Sequence, residues 1–178
     1  IISGGRSLED WRVDYGPDNA PIWSSPLPAG VDFTRTLWVN GKRSNRTTVH
    51  SLVRDRANSD GYFRPKSAVF TMDGTTVALT HITKRGYVAN SSSLLQLRNH
   101  GDIELLYTRV GSAWTEGRCT LAKIIPHPAG AELIVKQPCF ANQRSKDNND
   151  DGQSVTYPRS LEQLSSPHFL KPGEWFVD

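Results

Sequence analysis

The chain has 178 residues, enough for one domain with a hydrophobic core, and its 37% apolar content with 14 Gly and 11 Pro indicates a globular, turn-rich fold. Its 21 basic and 18 acidic residues give a formal net charge of +3, and the basic residues are scattered rather than clustered as a nucleic-acid surface requires. No apolar run approaches the roughly 20 residues of a membrane span. The sequence therefore predicts neither nucleic acid nor a membrane as a partner.

The first part of the chain predicts two short strands followed by irregular structure. Strands are expected over residues 1–2 and 8–13. Beyond them, Pro17, Pro21, Pro26 and Pro28 are expected to prevent regular structure, because proline fixes φ and lacks a backbone donor.

Asn40-Gly41 is the clearest local signal in the sequence. It separates an apolar strand from a basic one, and this dipeptide favours a tight hairpin with two positive φ angles. Strict alternation places Leu37 and Val39 on one face and Trp38 on the other. We therefore expect Trp38 to lie close to the end of a hairpin loop.

The remaining elements are mostly short strands, which suits a sandwich or barrel. Strands are expected over residues 67–70, 76–80 and 103–110, helices over residues 92–99 and 160–164, and a polar loop over residues 143–153. Asn90 or Ser91 can cap the first helix and Gly101 can stop it. The sequence predicts a single all-β domain over residues 1–178, a β-barrel or β-sandwich of short antiparallel strands with one or two short helices.

The two cysteines are predicted to meet across a hairpin. Cys119 lies in a predicted strand that a turn around Ala129 joins to a second strand over residues 133–137. A hairpin folded about Ala129 places Cys119 directly opposite Cys139, within reach of disulfide geometry. The alternative is two buried thiols in a reducing compartment, and the register favours the disulfide.

Two further patterns suit a secreted protein. Asn45-Arg46-Thr47 and Asn90-Ser91-Ser92 match the N-glycosylation pattern, so Asn45 and Asn90 are predicted glycosylation sites. Such triplets also arise by chance. Because the sequence has no basic-then-apolar leader, any signal peptide is expected to have been removed or to lie upstream.

The sequence carries no recognisable catalytic or metal-binding motif. It lacks a nucleophile elbow, a phosphate-binding glycine loop and a His-Glu-x-x-His pattern, and its five histidines have no metal-ligand spacing. Asp147, Asn149 and Asp151 match the first half of a calcium loop, but Pro158 stands where the bidentate glutamate is required. We therefore predict no metal or other cofactor, and a solvated loop rather than a loose calcium site.

Three residues around position 116 are candidates for sugar binding. In a strand, Trp114, Glu116 and Arg118 lie on one face, where they offer a ring for stacking beside a carboxylate and a guanidinium. The alternative, favoured on the residue types alone, is a structural Glu116–Arg118 ion pair packed under Trp114.

Tryptophan is frequent in this chain, and its positions suggest different roles. Trp38 is a candidate sugar platform, with burial under a loop or against another domain as an equal alternative. Trp11, Trp23 and Trp175 are expected to be core or interface residues.

The order of several segments resembles the β-rich insert of right-handed parallel β-helix glycosidases, which include α-1,3-galactosidase-like and β-xylosidase-like proteins. The segments that carry the resemblance are, in chain order, Ile2-Ser3-Gly4-Gly5-Arg6 followed by Trp11, then Leu37-Trp38-Val39-Asn40-Gly41-Lys42-Arg43, Trp114-Thr115-Glu116-Gly117-Arg118-Cys119 and Pro172-Gly173-Glu174-Trp175-Phe176-Val177-Asp178. After the Asn-Gly turn the family commonly has alanine and arginine, whereas this chain has Ser44, Asn45 and Arg46.

The resemblance implies that the chain is a domain of a longer protein, with its two ends near each other, and that it adjoins a β-helix that holds the catalytic carboxylates. No catalytic residue is therefore expected in it. We predict a non-catalytic accessory domain that binds an oligosaccharide or polysaccharide. The alternative is a structural insert that braces the β-helix or forms an oligomer interface, with Trp11, Trp38 and Trp175 in a flat apolar patch. A third possibility, a small independent glycoside hydrolase, requires two facing carboxylates.

Overall fold

The computed structural model describes residues 5–17, 19–52, 67–72, 74–108, 116–145 and 157–178. Within these residues the strands form an eight-stranded sheet, a three-stranded sheet and a two-stranded ribbon. The prediction of an all-β fold with short antiparallel strands and short helices is confirmed, and the larger sheet curls into a near-closed barrel.

The barrel sheet is antiparallel throughout, and its strands are numbered along the chain. Their order across the sheet is β5 (Thr48–His50), β12 (Ser160–Glu162), β9 (Glu104–Thr108), β10 (Glu116–His127), β11 (Gly130–Val135), β8 (Gly86–Ala89), β7 (Thr75–Ile82) and β6 (Ala68–Met72). The two edge strands approach each other, since the amide of Leu52 donates to the carbonyl of Val69 at 2.7 Å. Closure of this kind protects the edges of a sheet from pairing with other chains.

The barrel interior is aromatic as well as aliphatic. Tyr87 packs edge-on against Phe140 with ring centroids 5.3 Å apart, and its hydroxyl lies 3.0 Å from that of Tyr107. Burial raises the pKa of Tyr107 well above its usual value, although the hydrogen bond to Tyr87 opposes the shift. Gly86 allows close strand packing, because a Cβ there would lie 1.9 Å from the carbonyl oxygen of Leu133.

The disulfide between Cys119 and Cys139 is confirmed, but the predicted hairpin register is wrong. β10 and β11 turn about Pro128 and Ala129, so that His127 pairs with Gly130, and a bulge between Leu121 and Lys123 shifts the register further. The second strand ends at Val135, and Cys139 instead begins helix α1 (Cys139–Ser145). The Cα atoms of the two cysteines are 5.6 Å apart because this helix starts beside β10.

Two of the helical predictions are corrected in detail. The segment expected as one helix over residues 92–99 forms two 3-10 helices, Ser92–Gln96 and His100–Asp102, separated by extended Leu97 and left-handed Asn99. Ser91 caps the first of these as predicted, accepting a hydrogen bond from the amide of Ser93. Gly101 does not end the helix but lies inside the second one.

The segment expected as a helix over residues 160–164 is strand β12. It pairs with β5 on one side and β9 on the other, so sheet pairing overrides its weak helical pattern. A 3-10 helix, Pro167–Phe169, follows it. The polar loop expected over residues 143–153 begins inside α1, and most of it lies outside the described residues.

A three-stranded sheet contains the Asn40-Gly41 hairpin. β3 (Leu37–Val39) pairs with β4 (Lys42–Arg46), and the two-residue strand β13 (Glu174–Trp175) pairs in parallel with β4. Asn40 and Gly41 have φ angles of 49° and 75°, which confirms the predicted turn.

The first two strands form a separate ribbon. β1 (Arg12–Tyr15) pairs with β2 (Pro21–Ser24), so the strand predicted over residues 8–13 lies further along the chain than expected. The strand expected over residues 1–2 lies outside the described residues. The expectation of irregular structure around the prolines is also wrong for this segment. Pro21 is tolerated because it is the first residue of an edge strand, where a backbone donor is not essential.

The helices found in the described parts of the chain are too short to cross a lipid bilayer; α1, for example, has seven residues.

Candidate functional site

The exposed face of the three-stranded sheet combines an aromatic ring with polar groups. Trp38 pairs directly with Arg43 across the hairpin, and Asn45 lies two residues further along the same strand. Glu174 pairs with Asn45 from the third strand. Since paired residues share a face and the side-chain period is two, these four residues project from one side of the sheet. We call this set the Trp38 face.

The Trp38 ring is open to solvent. Its side chain is 62% exposed, and Arg43 and Asn45 are also exposed, whereas Glu174 is half-buried. Burial raises the pKa of the Glu174 carboxyl, partly opposed by a hydrogen bond from the backbone of Lys171. The expectation that Trp38 is near a loop end, and opposite to Leu37 and Val39, agrees with this geometry. The site therefore offers a flat ring beside a guanidinium, an amide and a carboxyl.

Trp175 lies on the other side of this sheet. It pairs with Arg46, which alternates with Asn45, and its indole N–H donates to the carbonyl of Ser44 at 3.2 Å. The flat patch expected to include both Trp38 and Trp175 is therefore not formed, because the two rings project from opposite faces.

Glu116 and Arg118 belong to a cluster of three carboxylates and three guanidiniums. The cluster consists of Glu104, Glu116, Glu162, Arg35, Arg46 and Arg118. Arg118 donates to Glu116 at 2.9 Å and to Glu162 at 2.6 Å, and Arg46 contacts both Glu104 and Glu162. We call it the ion cluster.

Glu104 is the centre of the ion cluster. It is 1% exposed, accepts hydrogen bonds from Arg35 at 2.6 and 3.2 Å, and accepts one from Arg46 at 2.9 Å. Burial alone would raise its pKa, but the hydrogen bonds and charges of Arg35 and Arg46 outweigh it, so the pKa lies below its usual value. Glu104 is therefore held as a carboxylate.

The ion cluster leaves little capacity for a ligand. Arg118 is 30% exposed, and two carboxylates occupy its guanidinium. A general acid for glycoside hydrolysis needs a raised pKa, whereas that of Glu104 is lowered. The contact between Glu116 and Arg118 thus agrees with the ion-pair interpretation. Trp114 lies outside the described residues. Sequence reasoning missed the other four members, because they are far apart in the chain.

The two predicted glycosylation sites are both exposed. Asn45 lies within β4 on the Trp38 face. Asn90 follows β8, and its side-chain oxygen accepts a hydrogen bond from the amide of Ala78 at 2.8 Å. Whether either carries a glycan stays a prediction.

Aromatic side chains are also exposed on the ribbon, where a core location was one expectation. Trp11 is 45% exposed, Tyr15 67% and Trp23 63%. Val13, itself 42% exposed, pairs directly with Trp23. The core location is therefore wrong for Trp11 and Trp23, and the interface location, which was the other expectation, stays a prediction. The alternation of Trp11, Val13 and Tyr15 was a signal available in the sequence.

The other face of the ribbon borders an open depression of about 320 Å³. Asp10, Arg12, Ser24, Ser25 and Pro26 line it, and none of the residues predicted to bind sugar is among them.

The described residues contain no group of three or more His, Cys, Asp or Glu side chains placed to hold a metal ion. The calcium candidates Asp147, Asn149 and Asp151 lie outside these residues.

Fold and site together define a near-closed β-barrel with an attached sheet that presents an exposed tryptophan beside polar side chains. Comparisons with protein-family models, with curated proteins and with solved structures find no match for this chain. The resemblance to a β-helix insert thus stays a prediction.

Proposed function

We propose that this chain is a non-catalytic carbohydrate-binding domain that serves as an accessory to a secreted, polysaccharide-active β-helix protein. The observation that carries the proposal is the Trp38 face: a 62% exposed indole with Arg43 and Asn45 beside it on one side of a sheet. Aromatic rings pack against the apolar faces of sugars, and a few polar groups fix the orientation of a ligand through hydrogen bonds.

The hairpin makes the ring a suitable platform. A tight turn at Asn40 and Gly41 fixes the two strands, and cross-strand pairing fixes the position of Arg43 relative to Trp38. A platform that is already in place loses less conformational entropy when a ligand binds. Arg43 can donate to sugar hydroxyls, and the Glu174 carboxyl can accept from them.

The cellular setting of the proposal is supported by the disulfide. Cys119–Cys139 is compatible with an extracellular protein, because such bonds persist in oxidising compartments. The adjoining β-helix is supported only by the resemblance of the segment order.

The structural alternative, an insert that braces a β-helix or forms an oligomer interface, relies on exposed apolar surface. The ribbon residues Trp11 and Trp23 supply such surface, whereas Trp38 and Trp175 project from opposite faces of their sheet. A small independent hydrolase is a third possibility. The lowered pKa of Glu104 argues against this carboxylate as its general acid.

A glycan array followed by affinity electrophoresis tests the proposal. If a sugar covers about 100 Å² of apolar surface in stacking on Trp38, the contact contributes about 2.5 kcal/mol, so Trp38→Ala should weaken binding more than tenfold. Val39→Ala is the matched control, because Val39 is an exposed apolar residue of the same strand that points the other way. Asn45→Gln removes any glycan from the Trp38 face, and Trp114→Ala tests the other candidate ring.

Two outcomes would contradict the proposal. One is a wild-type protein that binds no glycan in either assay. The other is a Trp38→Ala variant that binds as tightly as wild type while Val39→Ala does too.

A further inference from the structure

The ribbon presents an aromatic face that no described element covers with more than a few contacts. β1 and β2 pack mainly against each other, and no other described strand or helix packs closely against either of them. Trp23 pairs with Val13, and Trp11 and Tyr15 lie two residues to either side of Val13. Strand alternation places Val13, Tyr15 and Trp23 on one side, and the same alternation extends to Trp11, which immediately precedes β1. We call this set the ribbon face.

The three rings form a row. Trp11 and Tyr15 are four residues apart, or about 13 Å in an extended strand, and Trp23 lies level with the midpoint on the neighbouring strand. Each step along the row is therefore about 7 Å. The indole N–H of Trp11 donates to the carbonyl of Leu8 at 3.2 Å, which fixes the orientation of that ring. A row of separated rings suits a ligand with a repeating flat unit.

The size of the ribbon face argues against a stable protein partner. Its side chains are 42–67% exposed and the aromatic ones offer roughly 150–250 Å² each, so the face presents on the order of 450 Å², against about 800 Å² per partner in a standard protein interface. Two copies stacked ribbon on ribbon would bury roughly 900 Å², which is below the roughly 1,200–2,000 Å² of stable interfaces. A narrow, extended ligand needs much less area, since each of its units contacts a separate ring.

We propose that the ribbon face is a second glycan-binding surface, which takes the flat face of an extended polysaccharide chain. The large side chains of the ribbon face are three aromatic rings and one valine. The charged residues of β1, Arg12 and Asp14, alternate with them and project from the opposite side of the ribbon. The choice of a glycan as the ligand rests on the proposed function. The Trp38 face and the ribbon face share no residue, so each can be tested by its own substitutions.

The test is depletion of the protein from solution by insoluble polysaccharides, with microcrystalline cellulose, chitin and insoluble xylan as probes. Wild-type protein should sediment with at least one solid, and Trp23→Ala and Tyr15→Ala should each lower the partition coefficient at least fivefold. Trp23→Tyr should retain most of it, because a ring remains. Leu95→Ala is the control, since Leu95 is an exposed apolar residue outside the ribbon, and it should change the partition less than twofold.

Trp38→Ala separates this inference from the proposed function. It should leave the partition on solids within twofold of wild type while it weakens binding to soluble oligosaccharides. The inference is overturned if wild-type protein sediments with no probe, or if Trp23→Ala and Tyr15→Ala sediment as wild type does. It is equally overturned if sedimentation equilibrium shows a stable dimer that Trp23→Ala dissociates, because the ribbon face would then bind a second copy.

Discussion

Replacing Glu104 by Gln should destabilise the protein more than any other single change in the ion cluster. The substitution keeps the shape of the side chain but removes its charge and presents an amide donor to guanidinium donors. Glu104 is 1% exposed and Arg46 7% exposed, so Arg46 would lose one of its two carboxylates in a site that water scarcely reaches. Arg35, at 55% exposed, can turn to solvent and contributes less.

The expected loss is about 3 kcal/mol. Removing one partner of a buried ion pair costs roughly 3–5 kcal/mol. The lower end applies here because Glu162 still contacts Arg46. For a domain of this length, such a loss lowers Tm by roughly 6–12 °C. Urea unfolding followed by tryptophan fluorescence measures it. Glu116→Gln is the matched control, since Glu116 is 53% exposed and its pairing with Arg118 is worth about 1 kcal/mol or less.

The pH dependence provides a second measurement of the same carboxylate. The pKa of Glu104 is lower in the folded protein than in the unfolded chain, so the folded state favours the ionised form. The contribution is complete above the unfolded pKa, near 4.3, and is lost as pH falls through the folded value. The gap in unfolding free energy between wild type and Glu104→Gln should therefore narrow on acidification below about pH 4. A Glu104→Gln variant no less stable than Glu116→Gln at pH 7 would refute the reasoning.

Three further changes test other parts of the fold. Replacing Cys119 and Cys139 by Ala opens a loop with a sequence separation of 20 and should cost about 3 kcal/mol in urea unfolding, with reduction of the wild type as the comparison. Gly41→Ala places a Cβ at a φ of 75° and should cost about 1–2 kcal/mol while weakening glycan binding at the Trp38 face; an unchanged Tm would contradict this. Tyr107→Phe removes the hydroxyl that lies 3.0 Å from Tyr87 and should cost about 1–2 kcal/mol in the same assay, whereas a stabilised variant would argue against a favourable bond.

Local signals in the sequence were sufficient for some elements. The turn at Asn40 and Gly41 could be predicted because two positive φ angles suit few residue pairs, and the orientation of Trp38 follows from strand alternation. The cap at Ser91 is similarly local. These features depend on a few neighbouring residues, which is why the sequence alone indicates them.

Tertiary contacts decided the elements that sequence reasoning placed wrongly. The bulge between Leu121 and Lys123 shifts the hairpin, and no local pattern marks it. Cys119 and Cys139 still meet, because the chain turns back beside β10 whether it continues as a strand or as a helix. β12 looks weakly helical in isolation, but its backbone pairs with strands on both sides.

Sequence analysis indicated only the Glu116–Arg118 pair of the ion cluster, and the position of the whole cluster explains what it does for the candidate site. Glu104, Glu162 and Arg118 belong to three adjacent barrel strands, whereas Arg35 precedes β3 and Arg46 ends β4. The ion cluster therefore links the three-stranded sheet, which carries Trp38, to the strands of the barrel. Apolar packing could give equal stability, but charged pairs with directional hydrogen bonds also define one orientation of the sheet. We therefore expect folded Glu104→Gln protein to lose glycan binding although Trp38 is intact, because the sheet that carries Trp38 would no longer be held in one orientation.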